Sequence, residues 1–146
     1  MDNRTLQTLV EEVSKDSFHR PFLHQARFNN RLRTTGGRYL LSSHDLEFNP
    51  LMLTEFDLAN LIGVIKHELV HYHLHLQGRP YQHKDQSFKR LLADVGGLRY
   101  APPTSRTSQQ RWHYRCERGH DIYRQRRIKL SRYRCGRCRA PLHLFN

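Results

Sequence analysis

Cysteine is scarce in this chain, three among 146 residues, and an odd count cannot pair completely. Two of the three sit together as Cys135-Gly136-Arg137-Cys138. That excludes a disulfide framework and favours thiolates used for metal in a reducing cytoplasm. Long apolar runs are missing too. No stretch approaches the ~20 apolar residues of a membrane span, and the start Met1-Asp2-Asn3-Arg4 lacks the basic-then-apolar pattern of a secretory signal. A membrane partner is therefore not expected. Acidic residues thin out toward the end. Residues 1–100 hold 13 Lys/Arg against 11 Asp/Glu, for +2, while residues 101–146 hold 12 against 2, for +10. So charged a tail attracts polyanions, nucleic acid first, unless it serves only solubility.

What is present suits one domain, or one domain plus a small module. Leu6, Leu9, Val10 and Val13 recur at helical spacing between Asn3 and Asp16. Thr34-Thr35-Gly36-Gly37 reads as a hairpin turn, with a flexible rim over the active site as the alternative. Arg38–Ser42 and His44–Phe48 read as short strands of a mostly antiparallel sheet built from hairpins. The second of these would offer an edge to an extended peptide. Thr54 is the expected N-cap of a helix carrying Leu58, Leu61, Ile62, Ile65, Leu69 and Val70 to about Leu76, where Gly78-Arg79-Pro80 ends it. A further helix is expected from Asp85 to Val95, stopped by Gly96-Gly97. Ala101-Pro102-Pro103-Thr104-Ser105 reads as a linker.

The chemistry concentrates in His67-Glu68-Leu69-Val70-His71. Two histidines four apart share a helix face, about 6 Å apart along the axis, so their imidazoles can converge on one ion. Glu68, rotated by roughly 100° from His67, can meet a metal-bound water without ligating the metal. This is the pattern of a zinc hydrolase with Glu68 as general base. A plain polar stripe on a surface helix would not lie among Leu61, Ile62, Val64, Ile65, Leu69 and Val70. A third protein ligand is required. His83, beyond a Gly-Pro loop, leads, with Asp85 or Asp94 as alternatives. His75 stands about 12 Å from His67 along the axis, too far to share an ion, and His73 points off the face. The long metzincin form is excluded, because positions 74 and 77 are Leu and Gln. His19, His24 and His44 read as surface or structural residues.

The runs FNNRLRTTGGRYLL, HELVHYHLHLQGRPYQHKDQSFKRLL and YRCERGHDIYRQRRIKLSRYRCGRC resemble the bacterial SprT-like family, which is related to the eukaryotic DNA-dependent protease Spartan. The resemblance covers nearly the whole chain. It implies a minimal zincin-type metalloprotease domain followed by a zinc ribbon, with zinc on His67, His71 and His83 and catalysis at Glu68. It also implies proteins on DNA as substrates. The family's second ribbon cysteine falls on Gly119 here. A Cys116, His120, Cys135, Cys138 site remains chemically acceptable for zinc, with strands near Asp121–Arg126 and Leu130–Arg134 and His113 or His143 as fallback ligands. The alternative is a metal-free ribbon held by Trp112, Tyr114, Tyr123 and Tyr133. Those rings, interleaved with Arg124, Arg126, Arg127, Arg132 and Arg134, suit nucleic acid, although Trp112 and Tyr133 read first as module core.

The expected architecture is therefore α+β. Residues 1–103 form a minimal zincin-like metalloprotease domain, a set of helices with a small sheet, and residues 104–146 form a basic zinc-ribbon-like module. The expected function is a cytoplasmic, zinc-dependent HExxH peptidase acting on protein or peptide associated with DNA. The competing reading is a nucleic-acid-binding, transcription-related protein whose HExxH zinc is structural.

Overall fold

The computed structural model describes residues 1–108, 112–124 and 126–144. It is a mixed α+β protein of two compact units, Met1–Arg106 and Thr107–Asn146. Among the described residues no helix is long and apolar enough to cross a membrane.

In the first unit α1 (Asn3–Val13) is capped by Asp2, whose carboxylate accepts from the Thr5 N–H at 2.8 Å. It buries Leu6, Val10 and Val13, and one π-helical turn, Ser14–Phe18, extends it. Three short strands follow: β1 (Ala26–Phe28), β2 (Gly37–Tyr39) and β3 (Leu46–Phe48). Their order is β1-β3-β2, with β1 parallel and β2 antiparallel to β3. This corrects two expectations. The sheet is not a run of hairpins, and β3 lies at its centre rather than its edge. The register sets Glu47 between Arg27 and Arg38, and the buried carboxylate pairs with both, at 3.0 and 2.6 Å.

After a short turn, α2 (Leu51–Thr54), the long helix α3 runs Leu58–Leu76. Its N-cap is Asp57, accepting from Asn60 N–H at 2.8 Å. Thr54 instead closes α2, because Asn49-Pro50 already starts a turn there. Gly78, at φ 67°, ends α3: its N–H donates to His75 and that of Arg79 to Leu74. Helix α4 (Gln86–Val95) ends in the same way at Gly96. Helix α3 is buried on two sides. Leu61, Ile65, Leu69 and Tyr72 meet Leu6, Val10, Phe22, Leu46 and Phe48, while Val70 and Leu74 meet Phe88, Leu92 and Val95 of α4. That position makes α3 the rigid element on which a site can be built.

The stretch 101–105, read as a linker, is tied down at its end. Thr104 Oγ1 donates to Arg33 O, Ser105 N–H to Glu55, and the Arg106 guanidinium to Asn30 O and Leu32 O. The short helix α5 (Ser105–Ser108) follows. In the second unit β4 (Trp112–Cys116) lies between β5 (Asp121–Arg124) and β6 (Leu142–Leu144). The expected strand over 130–134 is turn, with a single bridge from Arg134 to Pro141. Among the described residues of this unit Tyr114 is the buried aromatic, and its hydroxyl accepts from Ile128 N–H. Tyr133, expected in the core, is 53% exposed.

Candidate metal centre and cleft

Helix α3 presents His67 and His71 one turn apart, and the loop before α4 brings His83 to them. The His83 Nε2 stands 2.9 Å from His67 Nε2 and 3.0 Å from His71 Nε2. On the far side of each ring a backbone carbonyl holds Nδ1: Leu98 O at 2.7 Å for His67 and Tyr81 O at 2.5 Å for His71. A carbonyl only accepts, so each Nδ1 carries the proton and each Nε2 offers a lone pair. Burial pushes the His67 pKa down and that of His71 to about 4, which keeps both neutral. Two lone pairs thus face His83 Nε2, which can donate to only one of them. A cation would complete this arrangement, and the three donors fit a metal ion. Phe88 backs the cluster, its ring centroid 5.2, 4.4 and 5.1 Å from those of His67, His71 and His83.

Glu68 lines the same cleft and is 6% exposed. Its Oε2 is buried with no hydrogen-bond partner, and burial alone pushes the carboxyl up to about 8. A buried carboxyl oxygen without a partner is costly, and packing does not offset that cost. Thr34, Thr35, Gly36 and Gly37 line the same cleft. Here Gly36-Gly37 is no hairpin turn, because β1 does not pair with β2. It is a close-packed rim. A Cβ on Gly36 would meet Ala101 at 2.7 Å, and one on Gly37 would meet Glu68 Cγ at 3.2 Å. The bonds Asn49 N–H to Gly36 O and Leu40 N–H to Asp45 O fix the parity of β2. In an antiparallel pair the alternate residues, Gly37 and Tyr39, turn their N–H and C=O to the open edge.

The rival histidines are occupied elsewhere. His73 is buried against Ser14 Oγ at 2.8 Å, and His75 Nδ1 lies 2.6 Å from the Tyr39 hydroxyl, which also meets His44. His24 meets the Tyr72 hydroxyl. Asp85 accepts from Gln82 N–H, and neither it nor Asp94 joins the cluster.

In the second unit the ligand atoms of Cys116, His120, Cys135 and Cys138 lie within 4.8 Å of one another. Cys116 Sγ and Cys135 Sγ each stand 3.4 Å from His120 Nδ1, and Cys116 Sγ is 3.7 Å from Cys138 Sγ. Burial opposes the Cys135 thiolate, but the N–H groups of Arg137 and Cys138, with Cys138 and His120, bring its pKa down to about 6. That donor set fits a soft divalent metal. The fallback ligands are engaged elsewhere: His113 pairs with Asp121 and stacks on Tyr123, and His143 lies 3.6 Å from Glu117.

Tyr123, Arg124, Tyr133 and Arg134 line one groove of about 470 Å³, together with Arg137, which the sequence reading passed over. Arg127 lies over the Trp112 ring at 5.5 Å. Arg126 and Arg132 are exposed.

Residues 5–113 match the family model described as the SprT-like family. A curated relative, Protein SprT-like of Lactiplantibacillus plantarum, is 59% identical over 147 residues, 99% of each chain. The protein of that name in Enterococcus faecalis is 54% identical, over 97% of this chain and 94% of its own. Among solved structures, the metallopeptidase zymogen of Pyrococcus abyssi abylysin aligns at a TM-score of 0.49 and 20% identity, covering 64% of this chain and 83% of that one.

Proposed function

The chain belongs to the SprT-like family, and on its site geometry we propose that it is a zinc-dependent HExxH peptidase acting on proteins associated with DNA. One observation carries the reading: three histidine Nε2 atoms converge within hydrogen-bond distance, in a cleft shared with a buried carboxyl whose Oε2 lacks a partner. His67, His71 and His83 would hold the metal. Zinc bound there supplies a water of pKa roughly 7 and polarises a carbonyl. Beside a bound cation the ionised form of Glu68 is favoured, so Glu68 takes the proton from the attacking water at its unpartnered oxygen and returns it to the leaving amine nitrogen. The polypeptide lies extended along β2, paired with the outward N–H and C=O of Gly37 and Tyr39.

The same observation weighs against a purely structural ion, which needs no free carboxylate beside it. For DNA association the support is the +10 charge of residues 101–146 and the aromatic and basic groove of the second unit. The test is Glu68→Gln in the zinc-loaded full chain, assayed on casein and for self-cleavage, with and without single-stranded DNA. A loss of about 10²–10⁴-fold with zinc content unchanged is expected. Equal activity of the two proteins would remove Glu68 from the mechanism.

A further inference from the structure

The cleft beside the histidines has a volume of about 700 Å³ and an uneven charge. Among its lining residues the carboxylate is Glu68, already committed to the reaction, and the permanent cations are Lys89 and Arg99. Each cation directly follows a residue that touches the metal centre. Phe88 backs the three imidazoles, and Leu98 O accepts from His67. The two charges therefore join the cleft lining from α4 and from the 97–101 segment. Both are exposed, and neither takes part in an ion pair among the described residues. Arg99 rests instead over the ring of Tyr100 at 5.3 Å, which holds its guanidinium without neutralising it. The lining also carries the apolar side chains of Phe88, Leu92, Ala93 and Leu98.

We propose that this cleft selects a substrate side chain with an apolar stem and an anionic end, glutamate above all, next to the scissile bond, with Lys89 and Arg99 as the specificity-determining residues. This rests on the peptidase reading above. The methylenes of such a side chain lie against Phe88, Leu92 and Leu98, and its carboxylate meets the two unpaired cations. A lysine or arginine in the same place meets like charge. A nucleic-acid strand is the less suitable occupant, because its phosphates recur along the chain whereas the cleft lining offers two cations together with apolar side chains.

The test uses peptides identical except for Glu or Lys at the position beside the cleavage point. Binding is read by fluorescence anisotropy on the zinc-loaded Glu68→Gln full chain, and cleavage on the wild type. Two exposed charge pairs predict a preference for the Glu peptide on the order of tenfold in Kd and in kcat/KM, shrinking in 1 M salt. The double variant Lys89→Glu, Arg99→Glu reverses the order, which a merely structural role would not produce. Equal binding of the two peptides, an unreversed order in the double variant, or binding of neither peptide overturns the proposal. So does displacement of both by a single-stranded oligonucleotide, which would mark the rim as a nucleic-acid surface. Discrimination in binding with no cleavage by the wild type sinks the peptidase reading and leaves the selective cleft standing.

Discussion

Gly37 sits against Glu68, so close that a Cβ at residue 37 would come within 3.2 Å of the Glu68 Cγ and within 3.0 Å of both Glu47 O and the Phe48 ring. Two of these neighbours cannot swing aside, since one is backbone and the other a fully buried ring. Gly37→Ala should therefore push β2 off the site. The expected costs are about 1–2 kcal/mol of stability and at least tenfold in kcat/KM through misplacement of the base. Thermal melts and turnover on casein check both. A variant with the melting temperature and turnover of the wild type would show that the strand yields freely.

Metal content separates the two units. Wild-type protein should carry two zinc ions per chain after dialysis. His83→Ala should lose the first unit's ion, since two histidines alone leave the site short of a ligand. His120→Ala should lose the other, whereas His120→Cys should keep it. Elemental analysis of the four proteins decides the matter. A His83→Ala chain that still holds two ions would end the role given to His83.

The helix spacing and the acceptable loop length made the meeting of His67, His71 and His83 legible in the sequence, because such a cluster is built of side chains and side chains are written there. The carbonyls of Leu98 and Tyr81 that orient those rings were not legible, since backbone groups carry no residue signature. The same limit hid the sheet. Strands of three residues, such as Ala26–Phe28 and Leu142–Leu144, are too short to show a period of two. The parallel pairing of β1 with β3 and the pairing of β6 with β4 therefore had no local signal. Thr54 and Asp57 are both good caps, and only the turn begun at Asn49-Pro50 decides between them. Glu47 reads as an alternating surface residue until the register brings Arg27 and Arg38 to either side.

That ion triad sets a pH dependence. Burial alone would raise the Glu47 pKa, but hydrogen bonds from Asn29 and Arg38 and the charges of Arg38 and Arg27 outweigh it, and the folded value lies below the ordinary one. A depressed folded pKa gives stability that is fully present above the unfolded value and is lost as pH falls through the folded one. Wild type should thus lose melting temperature more steeply than Glu47→Gln once the pH drops below the usual glutamate range, and the two curves should approach each other in acid. At neutral pH the substitution should cost about 2–3 kcal/mol, at or below the low end for a buried pair, because the Arg27 and Arg38 side chains remain 37% and 50% exposed. Parallel curves across the acid range would show that Glu47 does not titrate against its partners.

The groove of the second unit makes charge and stacking separable. Arg124, Arg134 and Arg137 share it with Tyr123 and Tyr133, which are 48% and 53% exposed. If a single strand lies there, phosphates meet the guanidiniums and bases stack on the rings. Each phosphate contact contributes about 0.7 to the slope of log K against log salt for single strands. Replacing the three arginines with alanine should therefore flatten that slope by about 2. Replacing the two tyrosines should weaken binding by roughly 1–3 kcal/mol for each base unstacked and leave the slope as it was, because a ring releases no counterion. Anisotropy titrations of a labelled oligonucleotide over a salt series give both quantities. An unchanged slope in the arginine variant would mean that the +10 charge acts as a diffuse field over the whole tail, with no strand seated in the groove.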